Sequence, residues 1–239
     1  MLKKAVKKFL SVVLATAMVV SSITVYGASV KVPEDRVLTS VKEYSIAPGI
    51  KEKHITTVDK DGNNQVQAYM AEVDLKTPSA GMMAGYKDYD KTGKWGMQTV
   101  RDQVKAAEKE TGKTIVAAIN GDYFDLGTGQ PWGSLVMGGN IVQSQNEHPY
   151  FAIMKDGTAD CREAYEPLDN VVEAIGSPFF LVKDGKALEE LASDPYTSPR
   201  CAVGIKADGS VIIYEADGRQ APKSCGQSLY ETAKQMEAM

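Results

Sequence analysis

Asp-Gly pairs recur between short apolar runs of this chain, and they limit the folds open to it. Asp-Gly is a dipeptide that tight β-hairpin turns favour, because both residues tolerate a positive φ angle. Four of these pairs lie between apolar runs: Asp61-Gly62-Asn63, Asp156-Gly157, Asp184-Gly185 and Asp208-Gly209. A hairpin joins two antiparallel strands that follow one another in the chain. We therefore expect a domain built mainly of strands.

The apolar runs beside these turns predict the individual elements. Strands are predicted at 51–57, 65–75, 133–137, 141–143, 150–154, 202–205 and 211–214. Residues 97–109 have helical periodicity and are followed by Gly112 as a stop signal. The run TIVAAI at 114–119 is apolar almost throughout, which is typical of a strand buried on both faces. The fold class expected is α+β (mixed α/β), a strand-rich mixed sheet with a few packing helices.

The N-terminus predicts export. Four lysines precede an apolar run at 9–20, and small residues follow up to Gly27, which is the order of a secretory signal. The run is shorter than the roughly 20 residues that span a bilayer. We expect residues 1–27 to be a signal peptide and the chain to be secreted, extracellular or in the cell envelope. An uncleaved signal anchor is the alternative, and it would be the only membrane attachment.

Behind the signal, composition divides the chain into parts and excludes some functions. We expect a linker at 28–43, an N-terminal α+β part at 44–113 and the core of the domain at 114–239. Without the four lysines of the signal, 23 basic residues face 31 acidic ones, a formal charge of −8. A nucleic-acid-binding protein needs a basic face, so we expect no nucleic-acid partner. With two histidines in the sequence, we expect no metal centre and no other cofactor.

The last predicted element is a helix that continues to the end of the sequence. Ser228 and Glu231 have the spacing of a capping box, and an amphipathic pattern follows them up to Met239. An apolar helix face needs a partner, and the last carbonyl groups of a helix need a cap. We therefore expect the sequence to be a fragment of a longer protein.

Polar and glycine-rich segments follow the predicted buried strand. Asn120 and Asp122 offer an amide and a carboxylate at its end, where α/β domains place ligands. A plain Asn-Gly turn is the alternative. The loop 127–133 is rich in glycine, which permits a close approach to a ligand. Its Trp132 is suited either to stacking on a sugar or to packing in the protein.

Charged residues flank the last two predicted strands. Arg200 precedes one of them, and Asp217 and Arg219 follow the other. The planar fork of arginine donates two parallel hydrogen bonds to a phosphate, and a pair of carboxylates can supply the acid and base of glycosidic cleavage. A structural salt bridge at Arg200 and a simple hairpin turn at Asp217 are the alternatives.

Four short segments together resemble one known family. They are NGDYF at 120–124, PRCAVGI at 199–205, DGRQ at 217–220 and SCGQSLYE at 224–231. In this order they are similar to the phosphodiester glycosidase family, over residues 114–239 and more weakly back to residue 44. The resemblance implies cleavage of a sugar joined through its anomeric carbon to a phosphodiester. It also implies that Asp122 and Asp217 are catalytic, and that Asn120, Arg200 and Arg219 bind the substrate and its phosphate.

Two departures from the family pattern have consequences. Cys201 stands where the family more usually has Thr or Ser, and with Cys225 nearby it predicts a disulfide. A cysteine beyond Met239 is the competing partner. The family continues into an Asp-Gly-Gly-Gly-Ser segment that these 239 residues lack, so we expect this polypeptide to be inactive by itself.

The function expected is a secreted glycosidase that hydrolyses a sugar-1-phosphodiester on cell-envelope or extracellular glycans, for example by removing N-acetylglucosamine. Its partner would be a phosphorylated glycan or sugar-phosphodiester substrate. The alternative is a non-catalytic polysaccharide- or cell-wall-binding module, because Trp95, Trp132 and eleven tyrosines suit stacking on sugars. A serine esterase or protease is disfavoured, because there is no G-x-S-x-G motif and His148 lies in a polar loop expected at the surface.

Overall fold

The computed structural model describes residues 22–23, 30–145 and 147–239. Most of the predicted signal peptide at 1–27 lies outside these residues. The strands within them are β1 (Ser22–Ile23), β2 (Arg36–Ala47), β3 (Ile50–Asp59), β4 (Val66–Val73), β5 (Leu135–Met137), β6 (Asn140–Gln143), β7 (Tyr150–Met154), β8 (Ala159–Arg162), β9 (Val171–Gly176), β10 (Val182–Lys183), β11 (Lys186–Ala187), β12 (Arg200–Ile205) and β13 (Val211–Ala216). The α-helices are α1 (Val100–Thr111) and α2 (Leu229–Ala238).

The strands form two larger sheets and one small ribbon. The first sheet has the order β1-β2-β3-β4-β13-β12, the second has the order β6-β5-β9-β7-β8, and β10 pairs with β11. All of these strand pairs are antiparallel. The predicted strand-rich α+β class is confirmed.

The four predicted turns all connect paired strands. The first joins β3 to β4, and the others join β7 to β8, β10 to β11 and β12 to β13. Their glycines have positive φ angles: Gly62, Gly157, Gly185 and Gly209. These contacts are local in sequence, which explains why the sequence alone was sufficient to predict them.

Each face of the first sheet has a different cover. On one face, the buried side chains of Met70 and Tyr214 pack under Met236 and Met239 at the end of α2. On the opposite face, apolar side chains of β4 and β13 pack against Phe151 and other residues of the second sheet. The first sheet is therefore covered by two apolar layers, one between the sheets and one under α2, and two further apolar clusters lie at α1 and on the second sheet.

The predicted Gly112 stop of α1 and the predicted capping box of α2 are both confirmed. The Thr99 hydroxyl accepts a hydrogen bond from the Asp102 N–H at the start of α1, and Gly112 ends that helix with φ 67°. At α2, Ser228 and Glu231 form the predicted capping box. None of the helices in the described part of the chain is long and apolar enough to cross a membrane.

The strand predicted at 114–119 is wrong. The run belongs to no strand, and Thr114, Ala117 and Ala118 are exposed. In the part of the chain that the structure describes, residues 116–121 form no main-chain hydrogen bond with other main-chain groups. Residues 116–119 line an open groove of about 340 Å³ together with residues of β3, β4 and β13. An apolar run becomes a buried strand when a neighbouring strand pairs with it, and no described strand does so here.

The linker predicted at 28–43 is also wrong over much of its described length. Residues from Arg36 onward belong to β2, which pairs with β3 from Arg36 opposite Asp59 to Ala47 opposite Ile50. Exposed residues are interspersed along β2 with half-buried ones. The polar composition that indicated a linker is instead that of a strand near a sheet edge with much of its surface in solvent.

Candidate active site

Asp122 follows the unpaired run 116–121 and has a left-handed backbone with φ 58°. Asp adopts this conformation more readily than most residues, because its short side chain can bond to nearby backbone groups. Its Oδ1 accepts a hydrogen bond from the Tyr123 N–H at 2.6 Å, and its Oδ2 accepts one from the Gly133 N–H at 2.8 Å. The two bonds hold the carboxylate in one orientation.

Two glycines make the space for this carboxylate. A Cβ added at Gly176 would lie 2.6 Å from Asp122 Oδ2 and 2.5 Å from Gly133 Cα. A Cβ added at Gly133 would lie 2.6 Å from Gly176 Cα. Gly176 ends β9 and Gly133 precedes β5, so the second sheet supplies the wall of the site. Gly176 carries no sequence signal, since a glycine at a strand end is also an ordinary turn residue.

The environment of Asp122 changes its acidity. Burial raises the pKa of its carboxyl above the ordinary value, and the hydrogen bonds from Gly133 and Tyr123 and the charge of His148 oppose this rise without cancelling it. His148 was expected at the surface, but it is half-buried and close enough to act on Asp122. A carboxyl that keeps its proton to higher pH is suited to act as a general acid.

Arg200 and Arg219 lie among loops at the β12 edge of the first sheet. Arg200 Nε donates a hydrogen bond to the Gln227 carbonyl at 3.0 Å, and its Nη2 donates one to the Tyr196 carbonyl at 2.8 Å. Arg219 Nη2 donates to the Ser198 hydroxyl at 3.3 Å. A guanidinium has five N–H donors, so both side chains keep further donors for an anion.

Close backbone contacts tie these loops together. Ser198 and Gln227 exchange two main-chain hydrogen bonds of 3.0 Å. A Cβ added at Gly218 would lie 2.5 Å from the Pro199 nitrogen, and one added at Gly226 would lie 2.6 Å from the Ser198 carbonyl oxygen. We call residues 198–200, 217–219 and 225–227 together the arginine cluster.

Asp217 belongs to the arginine cluster and is held by its main chain. Its N–H donates to the Gln67 carbonyl at 2.9 Å, and its carbonyl accepts from the Ser224 hydroxyl at 2.7 Å. Burial and then the negative charge of Asp217 raise the pKa of Tyr69 and of Glu215. Tyr69 and Glu215 line the same groove as residues 116–119. The Asp217 carboxylate is therefore within electrostatic reach of that groove.

Asn120 contacts the first sheet at β12. The Cys201 thiol lies 3.6 Å from Asn120 Oδ1 and donates to it. Cys201 follows Arg200 in β12, and consecutive side chains of a strand point to opposite faces of the sheet, so Asn120 contacts the neighbour of Arg200 in β12 but not its guanidinium group. Asp122 lies against the second sheet, and no hydrogen bond between described residues joins it to Asp217.

Cysteines and potential metal ligands are scattered. Cys201 and Cys225 are free thiols, so the predicted disulfide is not formed in the structure. Cys201 faces Asn120, whereas Cys225 lines a separate cavity with Arg36, and the pairing stays a prediction. Among the residues that the structure describes, no group of three or more His, Cys, Asp or Glu side chains is arranged to hold a metal ion.

Known proteins share parts of this sequence. The sequence model of the phosphodiester glycosidase family matches residues 113–239. N-acetylglucosamine-1-phosphodiester alpha-N-acetylglucosaminidase from mouse (Mus musculus) is 28% identical over 140 residues, which are 49% of this chain and 27% of the mouse protein. The chain thus spans about a quarter of the length of that curated relative.

Solved structures share the fold over most of the chain. The zebrafish N-acetylglucosamine-1-phosphodiester alpha-N-acetylglucosaminidase catalytic domain, auto-inhibited by its pro-peptide, matches with a TM-score of 0.60 and 20% identity, over 85% of this chain and 72% of the zebrafish chain. A hypothetical protein from Synechocystis matches with a TM-score of 0.60 and 12% identity, over 84% of this chain and 56% of its own. At these identities, the two matches establish a shared fold.

Proposed function

The chain belongs to the phosphodiester glycosidase family, and from that premise we propose that it hydrolyses the bond between the anomeric carbon of a sugar and a phosphodiester. The observation that carries the proposal is the half-buried Asp122, whose pKa is raised by burial. Arg200 and Arg219 add support, because they keep donors for an anion within one cluster of loops. A proton donor and paired guanidinium groups are what the departure of a phosphate requires.

Each group has a separate task in the proposed reaction. Water attacks the anomeric carbon, the bond from that carbon to the phosphate oxygen breaks, and its electron pair goes to the oxygen. Asp217 accepts a proton from the water, and Asp122 donates its proton to the departing oxygen. Arg200 and Arg219 stabilise the charge that develops on the phosphate, and Asn120 binds the substrate.

The proposed substrate is a phosphorylated glycan or sugar phosphodiester of the cell envelope or the extracellular space. N-acetylglucosamine is a suitable first sugar, because the name of the mouse relative specifies it. Export through residues 1–27 is part of the same proposal. N-terminal sequencing of protein recovered from the medium should find a start near Ala28, whereas a start at Met1 would indicate a retained anchor.

The test measures release of free sugar from N-acetylglucosamine 1-(methyl phosphate). We expect Asp122→Asn, Asp217→Asn and Arg200→Ala each to lower kcat/KM by about 100-fold, the usual effect of losing an acid, a base or an anion-stabilising donor. Asp169→Asn removes an exposed carboxylate outside the site and should keep the wild-type rate. Wild-type rates in both Asp217→Asn and Arg200→Ala would reject the assignment.

A non-catalytic glycan-binding module is the competing function. The exposed rings of Tyr123 and Trp132 are compatible with it, since they suit sugar binding with or without catalysis. Binding of wall or capsular glycan with no turnover of any phosphodiester would favour the module. The DNA downstream of codon 239 should be sequenced first, because an Asp-Gly-Gly-Gly-Ser segment there would have to be included in the assayed protein.

A further inference from the structure

Residues 123–132 form a compact hairpin directly after Asp122. The Trp132 N–H donates to the Tyr123 carbonyl at 2.8 Å, and the Asp125 N–H donates to the Gln130 carbonyl at 2.9 Å. Phe124 also forms an antiparallel bridge with Pro131. We call this segment the aromatic hairpin.

The aromatic hairpin presents three aromatic rings and one leucine side chain to solvent. The exposed fractions are 46% for Tyr123, 40% for Phe124, 49% for Trp132 and 77% for Leu126. The rings of Tyr123 and Trp132 are tilted 71° to one another with centroids 5.6 Å apart, which is a favourable edge-to-face arrangement. Aromatic rings have a negative face, and the polarised C–H bonds on one side of a pyranose ring are suited to pack on it.

The hairpin is held rigidly, so binding a ligand would require little ordering. Inside the turn, Asp125 Oδ1 accepts hydrogen bonds from the N–H groups of Gly127 at 3.0 Å and Thr128 at 2.7 Å. At the base of the hairpin, Gln143 Nε2 donates to the Pro131 carbonyl and to the Gly133 carbonyl. Preorganisation of this kind favours affinity, because side chains and loops lose less freedom on binding.

The charge of the hairpin distinguishes it from the arginine cluster. Asp125 is its only charged residue, and the Asp125 carboxylate is engaged within the turn by the Thr128 hydroxyl and the N–H groups of the turn. The hairpin itself therefore offers no cation for a phosphate. It fits an uncharged ring, whereas Arg200 and Arg219 fit an anion.

The hairpin also adjoins Asp122, the proposed proton donor, in sequence and through hydrogen bonds. Its first residue, Tyr123, and the residue after its end, Gly133, donate the two N–H groups that hold the Asp122 carboxylate. A ring packed on Tyr123 and Trp132 would therefore lie beside Asp122.

We propose that the aromatic hairpin binds the sugar ring of the substrate through Tyr123 and Trp132, while the arginine cluster binds the phosphate. This assignment rests on the proposed function and adds to it the orientation of the bound substrate. The sugar lies on the second-sheet side of Asp122, and the phosphodiester extends from the anomeric carbon toward the first sheet. The ligand class of the hairpin is an uncharged pyranose.

Separate probes for the two parts of the substrate test this direction. The sugar probes are the uncharged methyl α-glycosides of glucose, galactose, mannose and N-acetylglucosamine, and the anion probe is methyl phosphate. Binding to the 239-residue chain is measured by ligand-observed NMR. We expect at least one glycoside to bind, and to bind at least tenfold more weakly to Trp132→Ala and to Tyr123→Ala, which corresponds to about 1.4 kcal/mol.

Control variants separate ring stacking from loss of structure. Trp132→Phe keeps a ring and should stay within about threefold of the wild type, and Tyr165→Ala removes an exposed ring (70% exposed) elsewhere and should change nothing. Methyl phosphate should bind equally to the wild type and to Trp132→Ala. Because Tyr123 and Trp132 are nearly half exposed, we expect their removal to leave the fold intact. Thermal unfolding of each variant checks this.

The outcomes separate this proposal from the proposed function. If none of the glycosides binds, or if the bound glycoside binds Trp132→Ala as tightly as the wild type, the sugar assignment is overturned. The same holds if the hairpin instead mediates self-association that Trp132→Ala abolishes. If sugar binding depends on Trp132 but no phosphodiester is hydrolysed, the sugar assignment stands and the glycosidase proposal fails.

Discussion

Asp122 and the arginine cluster are both fixed by the main chain, but with opposite electrostatic consequences. Main-chain N–H groups hold the Asp122 carboxylate against the second sheet, and burial there disfavours its charged form. Main-chain carbonyls hold Arg200 at the edge of the first sheet, and a guanidinium keeps its charge at every ordinary pH.

The difference indicates where the pH dependence of the site arises. The charges of the Arg200 and Arg219 guanidinium groups are constant, whereas burial moves the pKa of Asp122, so we expect Asp122 to contribute to the pH dependence of the site. The two sides share one requirement, which is a glycine where two backbones meet: Gly226 against Ser198 in the arginine cluster, and Gly176 against Gly133 beside Asp122.

The largest expected effect is that of Gly226→Ala in the arginine cluster. Gly226 has φ +90°, and its added Cβ would lie 2.6 Å from the Ser198 carbonyl oxygen. Backbone strain and overlap with a rigid neighbour together should lower the free energy of unfolding by about 3 kcal/mol. Urea unfolding measures it, with Gly81→Ala as the control, because Gly81 has open space around it. Equal stability of the two variants would contradict the close packing of the arginine cluster.

Gly176→Ala tests the Asp122 side in the same way and should have a smaller effect. Gly176 has no positive φ, so only overlap with Gly133 and with Asp122 Oδ2 acts, and we expect a loss of about 2 kcal/mol. The displaced carboxylate should also lose part of its burial, and its pKa should move back toward the ordinary value. A stable variant with an unchanged Asp122 pKa would show that Gly176 does not shape this wall.

The smallest expected effect is that of His148→Ala on the acidity of Asp122. A protonated imidazole favours the carboxylate, so its removal should raise the Asp122 pKa further. Carboxyl NMR titration measures this change. Asp125 supplies the internal control, because its pKa is lowered by hydrogen bonds from Thr128 and Gly127 and not by His148. A downward shift of the Asp122 pKa, or a shift of Asp125 as well, would contradict the assigned contact.

The raised pKa of Asp122 also makes the stability of the fold depend on pH. The folded chain favours protonated Asp122, so this group contributes stability that is fully present below the ordinary Asp pKa of 3.8. That contribution is lost as the pH rises through the higher folded-state pKa. Aspartates such as Asp125, whose pKa is lowered, act in the opposite direction and lose their contribution as the pH falls.

Features that depend on a few consecutive residues could be predicted from the sequence. The Asp-Gly turns, the Gly112 stop of α1 and the capping box at Ser228 are each set by local hydrogen bonds or by φ angles, and each was confirmed. The grouping of Arg200, Asp217 and Arg219 at strand ends followed from the same strand predictions.

Features that depend on distant partners could not be predicted. Residues 114–119 have the composition of a buried strand, but composition does not tell which strand will pair with them. The polar β2 is a strand because β3 pairs along it, which its own sequence does not show. Gly176 matters because it meets Gly133 and Asp122, and such a contact leaves no trace in the order of residues around it.

The unpaired run that contains Asn120 and precedes Asp122 also affects how the site moves. Because residues 116–121 lack main-chain partners within the described chain, their amide hydrogens should exchange with solvent far faster than those of β4, which is paired on both sides. Opening such a segment costs much less than unfolding a sheet. Asn120 therefore lies within a locally labile segment, while the N–H groups of Tyr123 and Gly133 anchor Asp122 directly after that segment.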